Sequence, residues 1–138
     1  IGDAWVKCER GDWMLWLLGK LSGPPESDSR KKLALAACQC ARLALPCVMA
    51  GDTRPLKAIE TTEAWARGDD SITLRMIRDV AAAANAAAYA AAYAAYAAAY
   101  AAYANADAAA RISTLKKCAD IVREYYPEAP GINVKRRP

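Results

Sequence analysis

Residues 81–110 read AAAANAAAYAAAYAAYAAAYAAYANADAAA. These positions hold 22 Ala, five Tyr, two Asn and one Asp. The tyrosines are Tyr89, Tyr93, Tyr96, Tyr100 and Tyr103, so the gaps run 4, 3, 4, 3. A seven-residue repeat of this kind marks a helix that lays one seam against another surface. Ala is the strongest helix former because it gives up no side-chain entropy. The stretch therefore predicts a long helix with a tyrosine seam.

Working outward, helical pattern extends from Ile72 to about Tyr125, with Ser71 as the cap and Pro127 as the stop. A rod of about 54 residues would be roughly 80 Å long, against roughly 30–40 Å for a compact chain of this size. The tandem cap-type residues of Ala104-Asn105-Ala106-Asp107 are the expected break. At 100° per residue the flanking apolar stripes (Met76, Ile77, Val80; Ile112, Leu115, Val122) fall off the tyrosine face. The tyrosines then either form a second surface or cover the core through an underwound or broken helix.

Upstream, Asp3 is placed to cap a helix over Ala4–Glu9, which Gly11 interrupts. Asp12 is placed to cap a second helix, Trp13–Leu21, apolar nearly all round, which must be buried on most sides or form a contact surface. Ser22 to Ser27, with two prolines, is a loop. Asp28 or Ser29 opens a third helix with the stripe Leu33, Ala36, Ala37, Cys40, Leu43 and Ala44. Its first turn holds Arg30, Lys31 and Lys32, where the helix dipole disfavours cations. Pro46 ends or kinks it. Asp52 or Thr53 caps a fourth helix with Pro55 in its first turn and a stripe at Leu56, Ile59, Thr62 and Trp65, and Gly68 stops it. The reading is an all-α, compact helical bundle forming one domain over 1–138. Residues 1–21 are an apolar helical arm, 28–126 the core and 127–138 a basic tail.

The net charge of +4 accumulates entirely in the last 28 residues, which carry seven basic and three acidic groups. A short basic tail is a solvated tail, and no nucleic-acid partner is expected. Between 81 and 110 no Arg or Lys accompanies the tyrosines, as a base-stacking surface would require. Alanine is too weakly apolar, and the stretch too rich in phenols and amides, for a membrane span. The five cysteines read as reduced, buried thiols of a cytoplasmic protein. With no His, no Ser-His-Asp or Cys-His set can form. Glu60 and Glu63 share a helix face but have Lys57 and Arg67 within a turn, so surface pairing is expected rather than acid–base chemistry. No catalysis, cofactor or metal site is expected.

The string Asp52-Thr53-Arg54-Pro55-Leu56-Lys57-Ala58-Ile59-Glu60, followed by Ala64-Trp65-Ala66-Arg67-Gly68, resembles immunity proteins of bacterial polymorphic toxin systems. Cys40-Ala41-Arg42 and the alanine-rich helices are similar too, so that the resemblance spans Leu33 to Asp120. Ala4-Trp5 through Trp13-Met14-Leu15-Trp16 looks more like alanine-rich relatives carried by tailed phages. The resemblance implies an all-helical, non-enzymatic protein of bacterial or phage origin. Such a protein neutralises a toxin or host-defence component by stoichiometric binding.

Trp13, Trp16 and the five tyrosines are the candidate contact residues. Arg54 either joins them or locks its helix start through Asp52 or Glu60. An alternative is a phage anti-defence sponge for a nucleotide signal, stacking bases on the tyrosines and holding phosphates with Arg75, Arg78 or Arg111. A third reading makes the seam the zip of a homo-oligomer.

Overall fold

A computed structural model describes residues 2–48, 50–80 and 104–131. These residues form helices and no strand, so the fold is all-α. The elements are α1 (Gly2–Lys7), α2 (Gly11–Leu21), α3 (Asp28–Arg42), a 3-10 turn (Leu45–Cys47), α4 (Arg54–Ala66), α5 (helical over 74–80) and α6 (Ala104–Tyr125). The tyrosine seam lies outside the described residues. Asn105 and Asp107 are helical within the described part of α6, and residues 81–103 lie outside the described residues.

α3 is the centre of the packing. One side meets α4, and the other meets α2 and α6. The core against α6 joins Trp5, Met14, Leu18, Leu33, Cys40, Ala119 and Val122. Met14 and Val122 are its largest fully buried side chains. Burial of each is worth roughly 1.5–3 kcal/mol. Towards α4, Ala36 and Cys38 of α3 are buried, as are Ile59 and Trp65 of α4. The apolar spacing of α3 thus serves two interfaces rather than one stripe.

Several helix starts differ from expectation for local reasons. α2 begins at Gly11 with Arg10 as N-cap and no side-chain cap bond. Asp12 instead accepts two hydrogen bonds from the Arg10 guanidinium, at 2.9 and 2.7 Å. Gly11 does not interrupt a helix. It lets α2 touch α6, since a Cβ there would collide with Cys118 Cβ and lie 2.6 Å from Ala119 N. α3 is capped one residue early, by Ser27, whose hydroxyl accepts from Arg30 N at 3.3 Å. Ser71 binds Asp69 at 2.6 Å, and Thr73 caps α5 by accepting from Met76 N at 3.3 Å. Ile112, expected on a core stripe, is 63% exposed.

The cations at the start of α3 have partners outside their own helix. Arg30 donates to Gly19 O at 3.4 Å and to Gly23 O at 3.1 Å, serving carbonyls at the C-terminal end of α2. There its charge meets the favourable end of a neighbouring dipole. Lys31 sits over the Trp65 ring at 5.7 Å and Lys32 over Tyr126 at 4.7 Å. Arg123 does similar service for α1, donating to Cys8 O at 2.7 Å and Trp5 O at 3.3 Å. Trp5 completes the tie by donating from Nε1 to Tyr126 O at 2.9 Å. The N-terminal helices are in this way seated on α6.

Candidate binding face

The 100° step of α2 turns Gly11, Met14 and Leu18 inward. The same step leaves Trp13 and Trp16 on the outer side, 61% and 64% exposed. The two rings and Leu17 line a shallow hollow of about 520 Å³. Each ring has a cation beside it: Arg10 lies 4.4 Å from the Trp13 centroid and Lys20 lies 5.8 Å from Trp16. Leu21, 44% exposed, continues the apolar surface at the helix end. A tryptophan offers large contact area with little side-chain entropy to lose, which is why such rings dominate binding surfaces. Covering the exposed part of each ring is worth roughly 3 kcal/mol before the costs of association.

The other candidate residues are dispersed. Arg54 is exposed, and its guanidinium is held by Asp52 at 2.9 and 3.0 Å. Asp52 also accepts from Arg54 N at 3.1 Å, and its carboxyl is held below the usual range chiefly by the guanidinium. Arg54 therefore locks the entry to α4, and Glu60 takes no part. Arg75 and Arg78 are exposed on α5 and Arg111 is exposed on α6. Among the described residues, no ion pair or hydrogen bond joins these three.

A charge cluster built around one buried carboxylate is the feature that sequence reasoning misplaced. Glu63 is not a surface partner but is 3% exposed. It takes a two-pronged grip from Arg42 Nε and Nη2, at 2.9 and 2.8 Å, and Arg67 approaches at 3.6 Å. The Arg42 hydrogen bonds hold the Glu63 carboxyl below the usual carboxylate range. Next to it, burial and then the Glu63 charge push the Cys38 thiol up to about 11. A pinned carboxylate and a suppressed thiol serve to clamp α3 to α4. Glu60 points outward and does not form an acid–base pair with Glu63. The available signal was position: Glu63 stands four residues after Ile59 on the apolar stripe, where a carboxylate needs a partner from another helix.

Arg42, Glu63, Arg67 and the Asp52–Arg54 lock all lie in one stretch of family likeness. A family profile described as "Imm-5 like putative immunity protein" matches residues 23–122. The chain belongs to that family. The match is wider than the expected Leu33 to Asp120, reaching from the loop before α3 to Val122 in α6. The α2 face with Trp13 and Trp16 lies ahead of it. Among curated proteins and among solved structures, none matches the chain. Among the described residues, no helix is long and apolar enough to cross a membrane.

Proposed function

We propose that this immunity-like chain is a non-enzymatic binding protein that neutralises a protein toxin or defence component by stoichiometric contact. The observation that carries the reading is the Trp13–Trp16 face, a solvent-exposed aromatic hollow on a helix whose opposite side is fully committed to the core. Exposed tryptophans gathered on one helix face are the residue type that dominates binding surfaces. In this reading Tyr89, Tyr93, Tyr96, Tyr100 and Tyr103 extend the contact surface. The helices of the matched stretch serve as the scaffold.

The test is native mass spectrometry of the protein purified from its own host background, beside a Trp13→Ala/Trp16→Ala variant and a Tyr93→Ala/Tyr100→Ala variant. The expected result is a protein-sized adduct that both variants lose while keeping their melting temperatures. Central aromatic contacts are worth at least about 2 kcal/mol each, so each variant weakens binding by more than tenfold. An adduct of a few hundred daltons would point instead to a nucleotide ligand. A bare homo-oligomer that Tyr96→Lys dissociates would make the seam an assembly device. Either result overturns the proposal.

A further inference from the structure

Cys40 of α3 and Cys118 of α6 meet at the crossing of their helices. Cys40 Sγ donates to Cys118 O at 3.6 Å. Cys40 is buried, while Cys118 is only partly so and packs against the same apolar cluster. On its other side Cys118 is backed by Gly11, whose missing side chain lets the α2 backbone press against the Cys118 Cβ. The two thiols are thus neighbours held between three helices. Cys8, also half-buried, directs its thiol to Arg10 O at 3.7 Å, into the turn between α1 and α2.

We propose that Cys40 and Cys118 form a dithiol that a peroxide closes into a disulfide, fastening α3 to α6. This goes beyond the binding reading and does not depend on it. Cys118 reacts first because solvent reaches it. Its thiolate attacks one peroxide oxygen, the O–O bond breaks, and the departing hydroxide takes a proton to become water. Cys118 is then a sulfenic acid. Cys40 attacks the Cys118 sulfur and gives up its proton, the S–O bond breaks, and a second water leaves as the S–S bond forms. Two electrons pass from the sulfur pair to the peroxide. Burial, and then the neighbouring Cys118, push the Cys40 thiol up to about 12. Cys40 is therefore protonated at neutral pH, and the second step is the slow one.

The experiment uses the full chain with Cys8→Ser, Cys38→Ser and Cys47→Ser, treated with hydrogen peroxide and then denatured without reductant. The expected result is loss of both remaining thiols to maleimide and a mass decrease of about 2 Da. A linked peptide carrying Cys40 and Cys118 should appear and vanish with dithiothreitol. The oxidised form should melt at least a few degrees higher, because the bridge closes a long loop. Peptide mapping of the oxidised wild-type chain gives the same reading if the triple variant does not fold. The proposal is overturned if both thiols stay reactive. It is also overturned if Cys118 gains about 16 or 32 Da while Cys40 remains free, or if the bridge runs to Cys8.

Discussion

α3 meets α4 and α6 through two kinds of interface. Towards α4 the contact turns on a buried carboxylate gripped by Arg42, with Cys38 donating to Ile59 O at 3.8 Å beside it. Towards α6 it is apolar and sulfur-rich, with Leu33 and Cys40 packed against Ala119 and Val122. The first depends on charge and proton occupancy. The second depends on volume, because a close-packed interface responds to single atoms. α3 can therefore be loosened from α4 by acid, whereas the core around α6 answers to a methyl group, the nearest test being where α2 packs on the same α6 segment.

The largest expected effect breaks the charged side. Arg42→Ala leaves Glu63 buried with only Arg67, at 3.6 Å and largely exposed, to compensate it. Because Arg42 is itself about a third exposed, the loss should sit near the low end for a buried pair, roughly 3 kcal/mol. Arg67→Ala should cost less than about 1 kcal/mol, as exposed pairs do. Urea unfolding of the two variants measures the contrast, and equal costs would refute it. The pH dependence follows from the same group. Glu63 has its folded pKa depressed, so its contribution is complete above the ordinary carboxylate range and disappears as pH falls through the folded value. Wild type should lose stability from roughly pH 4 downward more steeply than Glu63→Gln does.

Next comes the apolar side. Gly11→Ala drives a methyl into Cys118 Cβ and the α6 backbone. Overpacking of this kind costs about 1–3 kcal/mol. Since the obstacle is Cβ and backbone, Cys118→Ala in the same chain should not restore the loss. A full rescue, read by thermal melting, would mean that the sulfur rather than the close helix approach is what Gly11 accommodates.

The smallest effect sharpens the comparison by lying outside both interfaces. Trp13→Ala and Trp16→Ala should each change stability by no more than about 0.5 kcal/mol, as exposed sites do. A loss of several kcal/mol in either would show that the ring belongs to the core and would remove the basis for the binding face.

Much of the helical framework was legible because its signals are local. Pro55 in the first turn of α4, Gly68 at a φ of +97° after it, and Pro127 beyond α6 all act through backbone constraints set within a few residues. The cation run Arg30-Lys31-Lys32 looked wrong by the same local logic. Its partners are α2 carbonyls, Trp65 and Tyr126, which no local rule can see. Trp13 and Trp16 could be singled out as a contact surface or a core face, but the two faces of α2 could not be told apart from an almost uniformly apolar run.

The chain's own sequence therefore determined the helical class, several helix stops and the family likeness, all of which rest on short-range backbone preference and short strings of residues. Only the tertiary structure decided that Glu63 is buried on Arg42, that Gly11 is a contact and not a breaker, and that Trp13 and Trp16 face solvent. Those outcomes depend on which helices lie side by side, and burial, charge pairing and close approach arise only when residues distant in sequence are brought into contact.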